Sequence, residues 1–245
     1  MTSTQSKLRP GATRSRYRLP VGLATLTVGA LLMSTSLPEP EDGLTGAPLR
    51  RFYEDNLAAT RVAVLLGSLV VVAMILAVAL LRRLLIEADA DGALVDVVTV
   101  AGTLTTIWMW LDTATGSMVV LMAEGGRFPD YSDAALAELD LFARFSEGWG
   151  DIGMASVGLY VGAASLAAVR SKAFPRWIGH LGLVVAASAL VSLVGALLPT
   201  SVPMTALFFV GLFGFVLWNL VLGVALCVSG LRGRSRHAER EAVAA

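Results

Sequence analysis

Stretches of about 20 mostly apolar residues recur along this chain, each long enough to carry a helix across a hydrocarbon core roughly 30 Å thick. They run from Leu19 to Pro38, Val62 to Leu81, Ala93 to Met122, Trp149 to Val169, Trp177 to Leu198 and Met204 to Ser229. In lipid, backbone polar groups must be satisfied within the structure, so the expected fold class is all-α: a polytopic transmembrane helical bundle of six spans. The third stretch is too short for two spans and a turn, and reads as one long, tilted helix. Composition agrees, because 245 residues that are 56% hydrophobic and 16% charged are too apolar to hide in one soluble core.

The Lys and Arg residues set the expected orientation, since short loops rich in them stay cytoplasmic. With the amino terminus inside, fourteen of the nineteen fall on the cytoplasmic side: Lys7, Arg9, Arg14, Arg16, Arg18, Arg82, Arg83, Arg170, Lys172, Arg176, Arg232, Arg234, Arg236 and Arg240. Arg50, Arg51, Arg61, Arg127 and Arg144 fall on the outer side. Both termini are therefore expected in the cytoplasm. The chain divides into a basic tail (1–18), a six-helix domain (19–230) and a second basic tail (231–245). The first stretch follows a positive segment as a secretory signal would, but it is long for one, and only Ser34 and Ser36 suggest a cleavage site. It reads as an anchor.

Two outer loops carry helical patterns of their own. In the first, 39–60, Leu49, Phe52, Tyr53 and Leu57 follow helical spacing. In the second, 124–148, a helix is expected to begin near Ser132, with Leu136, Leu139 and Phe142 on one face and Asp140 positioned to pair with Arg144. Both are expected to lie on the outer membrane surface as amphipathic connectors.

Ionisable groups at membrane depth are costly and are candidates for function. Asp112 follows Trp108 and Trp110 in the outer half of the third span, and Asp151 stands at the outer start of the fourth, four residues after Glu147. Arg61 opens the second span on the same side. Arg61, Asp112, Glu147 and Asp151 form the candidate polar cluster, read either as a proton or substrate site or as a structural ion pair between Arg61 and one aspartate. Thr99, Thr103 and Thr106 share a face of the third span, where hydroxyls line a path or bond to backbone. Gly158 and Gly162 form a GxxxG pair suited to close helix packing, and Asn219, deep in the sixth span, requires a partner on a neighbouring helix or a ligand.

Several chemistries lack their residues. His180 is the one histidine in a span, which leaves no pair to clamp a haem. Lys7 and Lys172, the only lysines, lie outside the spans and cannot hold retinal. There is no P-loop, no paired Asp-rich prenyl-diphosphate motif and no HExxH. Cys227 is the single cysteine, so neither a disulfide nor a multi-cysteine metal site follows. No cofactor and no metal site are expected. The expected partner is the lipid bilayer, not nucleic acid, with a protein partner or a homo-oligomer left open.

From the second outer loop to its end the chain resembles a bacterial family of six-helix membrane proteins, the domain of unknown function DUF4386. Arg170-Ser-Lys-Ala-Phe-Pro-Arg-Trp-Ile-Gly179, Gly158-Leu-Tyr, Leu217-Trp-Asn-Leu and Arg61 carry the likeness, and the Arg-rich amino terminus departs from it. The resemblance implies six helices in a bacterial cytoplasmic membrane and no particular activity. Three readings stand: a non-enzymatic bundle, structural or partner-binding; a transporter using Asp112, Asp151 and Arg61; and an intramembrane enzyme on a lipid-like substrate with Asp112 as acid or base.

Overall fold

The structure is a computed structural model of the chain and describes residues 10–34, 41, 44–124, 132–148, 150–195 and 202–244. Among the described residues there are seven helices: α1 (Pro10–Leu32), α2 (Gly46–Glu87), α3 (Gly92–Glu124), α4 (Asp133–Gly148), α5 (Gly150–Ser171), α6 (Arg176–Gly195) and α7 (Val202–Ala244). Five of them, α2, α3, α5, α6 and α7, are long and apolar enough to cross a membrane. In α1 the apolar stretch is the shorter Tyr17–Leu32. The helices continue into both basic tails, since α1 begins at Pro10 and α7 ends at Ala244.

What faces outward explains why this chain belongs in lipid. On α3, Val97, Val100, Leu104, Ile107 and Leu111 are all exposed, at steps of three and four residues that make one continuous stripe. Leu65, Leu69, Val72 and Leu76 make the same kind of stripe on α2. Contiguous exposed apolar surface on this scale is a liability in water and the normal condition of a helix against acyl chains.

The interior is built from small residues and a few large ones. α1, α2, α3, α5, α6 and α7 pack each on the next, and α7 closes on α1, so the six form a ring. α5 is the most enclosed helix, with Ala163, Ala164, Ala167 and Ala168 buried along it. Met74, Tyr160, Phe215 and Trp218 are fully or almost fully buried in the common core. Asp89 after α2 and Lys172 after α5 adopt the left-handed conformation (φ 59° and 58°), which turns the chain without glycine.

The seam of α1 with α7 brings two helix backbones into direct contact. A β-carbon on Gly22 would stand 2.8 Å from the Gly223 carbonyl oxygen, and one on Gly223 would stand 2.9 Å from that of Gly22. Gly29 meets Leu220, and Gly230 meets the backbone of Leu19. Gly22 and Gly29, like Gly223 and Gly230, are seven residues apart, which returns each to the same face of a gently supercoiled pair. At one end of this seam the Arg18 guanidinium donates to the Ala173 carbonyl oxygen (3.3 Å), tying α1 to the turn between α5 and α6.

The apolar pattern at Leu49, Phe52, Tyr53 and Leu57 is not a separate surface helix; it is the first part of α2, which runs unbroken for 42 residues. Pro48 falls in the first turn, where proline is tolerated, and no proline follows it within the helix, so nothing interrupts the hydrogen-bond ladder. At 1.5 Å per residue α2 is about 63 Å long, roughly twice the hydrocarbon thickness. Its amino-terminal turns project beyond the ring and pack against α4.

Candidate functional site

Three polar regions emerge from this fold, and the first lies on the projecting end of α2. α4 begins one residue after Ser132, whose hydroxyl accepts from the Ala135 N–H (3.2 Å), a capping bond at the start expected from sequence. Leu49 and Tyr53 of α2 and Leu136 of α4 are buried together in a small second core. Above it the Tyr53 hydroxyl donates to Asp140 (2.5 Å), and Arg50 pairs with Asp133 (3.3 Å). Asp140 was expected to pair with Arg144, whose side chain lies outside the described residues. Phe142, expected on the same face as Leu136, is 48% exposed while Leu136 is buried.

The second region contains the charged residues singled out from the sequence. On the α2–α3 seam, Gly67 faces Thr113, whose hydroxyl oxygen would be 2.7 Å from a β-carbon there. Arg61 is six residues before Gly67, about 9 Å along the axis and about 120° around it, on the exposed stripe with Leu65. On the other side of α3, the Trp108 indole lies directly against Gly153 of α5. Asp112 is one turn along α3 from Trp108 and is half-buried, and Asp151 lies two residues before Gly153 in antiparallel α5. The register therefore brings positions 112 and 151 to neighbouring levels. Glu147 is in the last turn of α4. The side chains of Glu147 and Asp151 lie outside the described residues.

The third region, in the middle of the bundle, was not anticipated as a site. Tyr160 and Ser165 of α5 and Trp218 and Asn219 of α7 are all 0% exposed. The Tyr160 and Trp218 rings meet edge to face, centroids 6.2 Å apart and planes at 85°. Tyr160 also reaches α3, its ring carbons 3.0 and 3.1 Å from where a Gly102 side chain would begin. The Ser165 hydroxyl and the Trp218 Nε1 both crowd the same point over Gly182 of α6, the latter at 2.5 Å from it. Only a residue without a side chain fits there.

Many hydroxyls of the bundle bond within their own helix. Thr99, Thr103, Thr105, Thr106, Ser156 and Ser192 each donate to a carbonyl three or four residues back in their own helix. By contrast, Tyr160 OH, Ser165 Oγ, Trp218 Nε1 and Asn219 Oδ1 are buried without a hydrogen-bond partner among the described residues. Asn219 spends its Nδ2 on the Phe215 carbonyl (3.0 Å). A buried unsatisfied polar group costs about 1–3 kcal/mol, so each of the four favours a partner; Glu87 Oε2, Trp108 Nε1 and Ser171 Oγ are in the same state elsewhere among the described residues. Asn219 was singled out from sequence as an amide at depth. Tyr160 and Trp218 were visible only as parts of short motifs.

The candidate packing glycines lie one and two turns from this centre. Gly158 approaches α6 at Leu190 and the Ala186 carbonyl oxygen (2.8 and 3.1 Å from a β-carbon), and Gly162 approaches Ala186 (3.1 Å).

Among protein families, residues 21–223 match the one described as "Domain of unknown function (DUF4386)". No curated protein and no solved structure matches the chain.

Proposed function

We propose, from the premise that this chain belongs to the DUF4386 family, that it is a six-span bundle with both ends in the cytoplasm, which holds lipid or protein partners on its surface and passes no solute through its centre. One observation carries the reading: the middle of the ring is occupied by the Tyr160 and Trp218 side chains, packed edge to face and buried completely. A transport path through the ring would have to displace both. The reciprocal glycine contacts of α1 with α7 support α1 as the sixth span, because they run alongside the apolar part of a spanning helix from Leu19 to Gly29. The charge distribution supports the orientation.

Proteoliposomes with a pH-sensitive dye inside test the sealed centre. Under an imposed pH gradient the purified protein is expected to admit protons no faster than protein-free vesicles of the same lipid. Protein-dependent dissipation of the gradient would contradict the reading.

A second reading rests on the four buried polar atoms without partners, which together offer donors and acceptors to a small polar ligand near the bilayer midplane. It keeps the transporter alternative, to which Asp112 and Asp151 add carboxylates at one end of α3 and α5. Protein-dependent flux in the same vesicles, abolished by Asn219→Leu, would favour it. The enzyme alternative, with Asp112 as acid or base, gains no comparable support.

A further inference from the structure

The seam between α6 and α7 is tight along part of its length and open along the rest. A β-carbon on Gly211 would stand 3.1 Å from the Ala189 Cα, one on Gly214 would stand 2.8 Å from a Val185 methyl, and Gly182 receives Trp218. Beyond Trp218 no glycine among the described residues continues this sequence of close contacts, and a groove of about 770 Å³ opens along α7, bounded on the other side by Pro175 and Trp177 at the start of α6. Its walls include Trp177 at the start of α6 and Leu220, Val224, Val228, Ser229 and Arg232 along one face of α7.

The groove has the polarity of a lipid. From Leu220 to Arg232 is twelve residues, about 18 Å of helix, which is close to one leaflet of a roughly 30 Å hydrocarbon core. The Leu220 end is wholly apolar. The other end holds the Arg232 guanidinium, the Ser229 hydroxyl and Trp177, a residue type that favours the membrane interface. Among the described residues Arg232 makes no ion pair, and Val224, Val228 and Trp177 are 52%, 41% and 59% exposed, so both the charge and the walls are open to an occupant. Arg176, the first residue of α6, adds a second cation beside Trp177, and the amino-terminal turn of α6 adds its partial positive charge.

We infer that this groove is a binding site for one anionic phospholipid of the cytoplasmic leaflet, with an acyl chain along Leu220, Val224 and Val228 and the phosphate at Arg232. The inference rests on the proposed topology, which puts the Arg232 end on the cytoplasmic side, where basic pockets between helices recognise anionic head groups. Guanidinium and phosphate form a charge-assisted pair, and this pair separates an anionic lipid from a neutral one with identical chains.

Native mass spectrometry of the full chain, released from micelles containing equal amounts of dioleoylphosphatidylglycerol and dioleoylphosphatidylcholine, tests it. Phosphatidylglycerol should be retained about tenfold over phosphatidylcholine at one-to-one stoichiometry. Arg232→Gln should remove the preference, and Val224→Trp, which fills the groove from its exposed wall, should reduce retention of both lipids. Melting temperatures of both variants should stay at the parent value, because neither position is buried. Equal retention of the two lipids by the parent, phosphatidylglycerol retention unchanged in both variants, or a dimer in place of the lipid adduct would each overturn the site. If the sealed-vesicle result holds while lipid preference fails, only this inference falls. Were cysteines near residue 232 labelled from outside intact cells, the topology itself would fail first.

Discussion

Gly182 shows how far one residue determines the centre of the bundle. Its missing side chain is the space into which the Ser165 hydroxyl and the Trp218 indole both fit. Trp218 is fully buried and backed by Tyr160, so it has no free direction in which to move. Gly182→Ala is therefore expected to cost about 1–3 kcal/mol as overpacking, despite the gain in helix propensity from alanine. Adding Ser165→Ala removes one of the two colliding atoms and should recover part of the loss, a coupling readable as a rise in melting temperature in detergent. A Gly182→Ala protein as stable as the parent would mean that α6 does not approach Trp218 this closely. This centre was only partly legible in the sequence. An amide such as Asn219 stands out at membrane depth because it is polar, whereas Tyr160, Ser165 and Trp218 are ordinary membrane-helix residues. Their isolation from hydrogen-bond partners depends on which helices surround them, and no spacing within one helix encodes that. Arg61 and Asp112 were legible for the opposite reason, since charge is conspicuous in an apolar run.

At the scale of helices, the α1–α7 seam carries the largest consequence. Gly22 and Gly223 each admit the other's backbone, so a side chain at either position meets main-chain atoms that cannot rotate away. Gly223→Leu should force the two helices apart, lower the melting temperature by several degrees and expose α1 to added protease. Gly92→Ala makes the matching control, because nothing lies within 4 Å of a β-carbon there. If the two variants melt alike and α1 stays protected in both, the seam is not as close as described. The sequence contains the four glycines at seven-residue spacing, but they are divided between segments some 200 residues apart, and only the ring closure makes them one motif. Local GxxxG spacing drew attention to Gly158 and Gly162 instead. The length of α2 was misjudged from the sequence for a related reason. Hydropathy drops before Val62, yet a helix ends only where its backbone ladder is broken, and no breaker stands there.

For the whole molecule, hydropathy was sufficient to indicate an all-helical membrane protein because each span's apolar length is a local property. Whether α1 completes a sixth span, and which way the bundle faces, depends on the partner of α1 and on the membrane around it. That topology supplies the sixth wall of the ring, the sealed centre and the cytoplasmic position of the Arg232 groove. With Cys227 replaced by serine the chain has no other cysteine, so single cysteines can be placed at Ser6, Gly43, Gly126 and Lys172 and treated in intact cells with a membrane-impermeant thiol reagent. The proposed topology predicts labelling at positions 43 and 126 and none at 6 and 172 until the cells are opened. Labelling at 172 with protection at 126, or labelling at both 6 and 43, would contradict it.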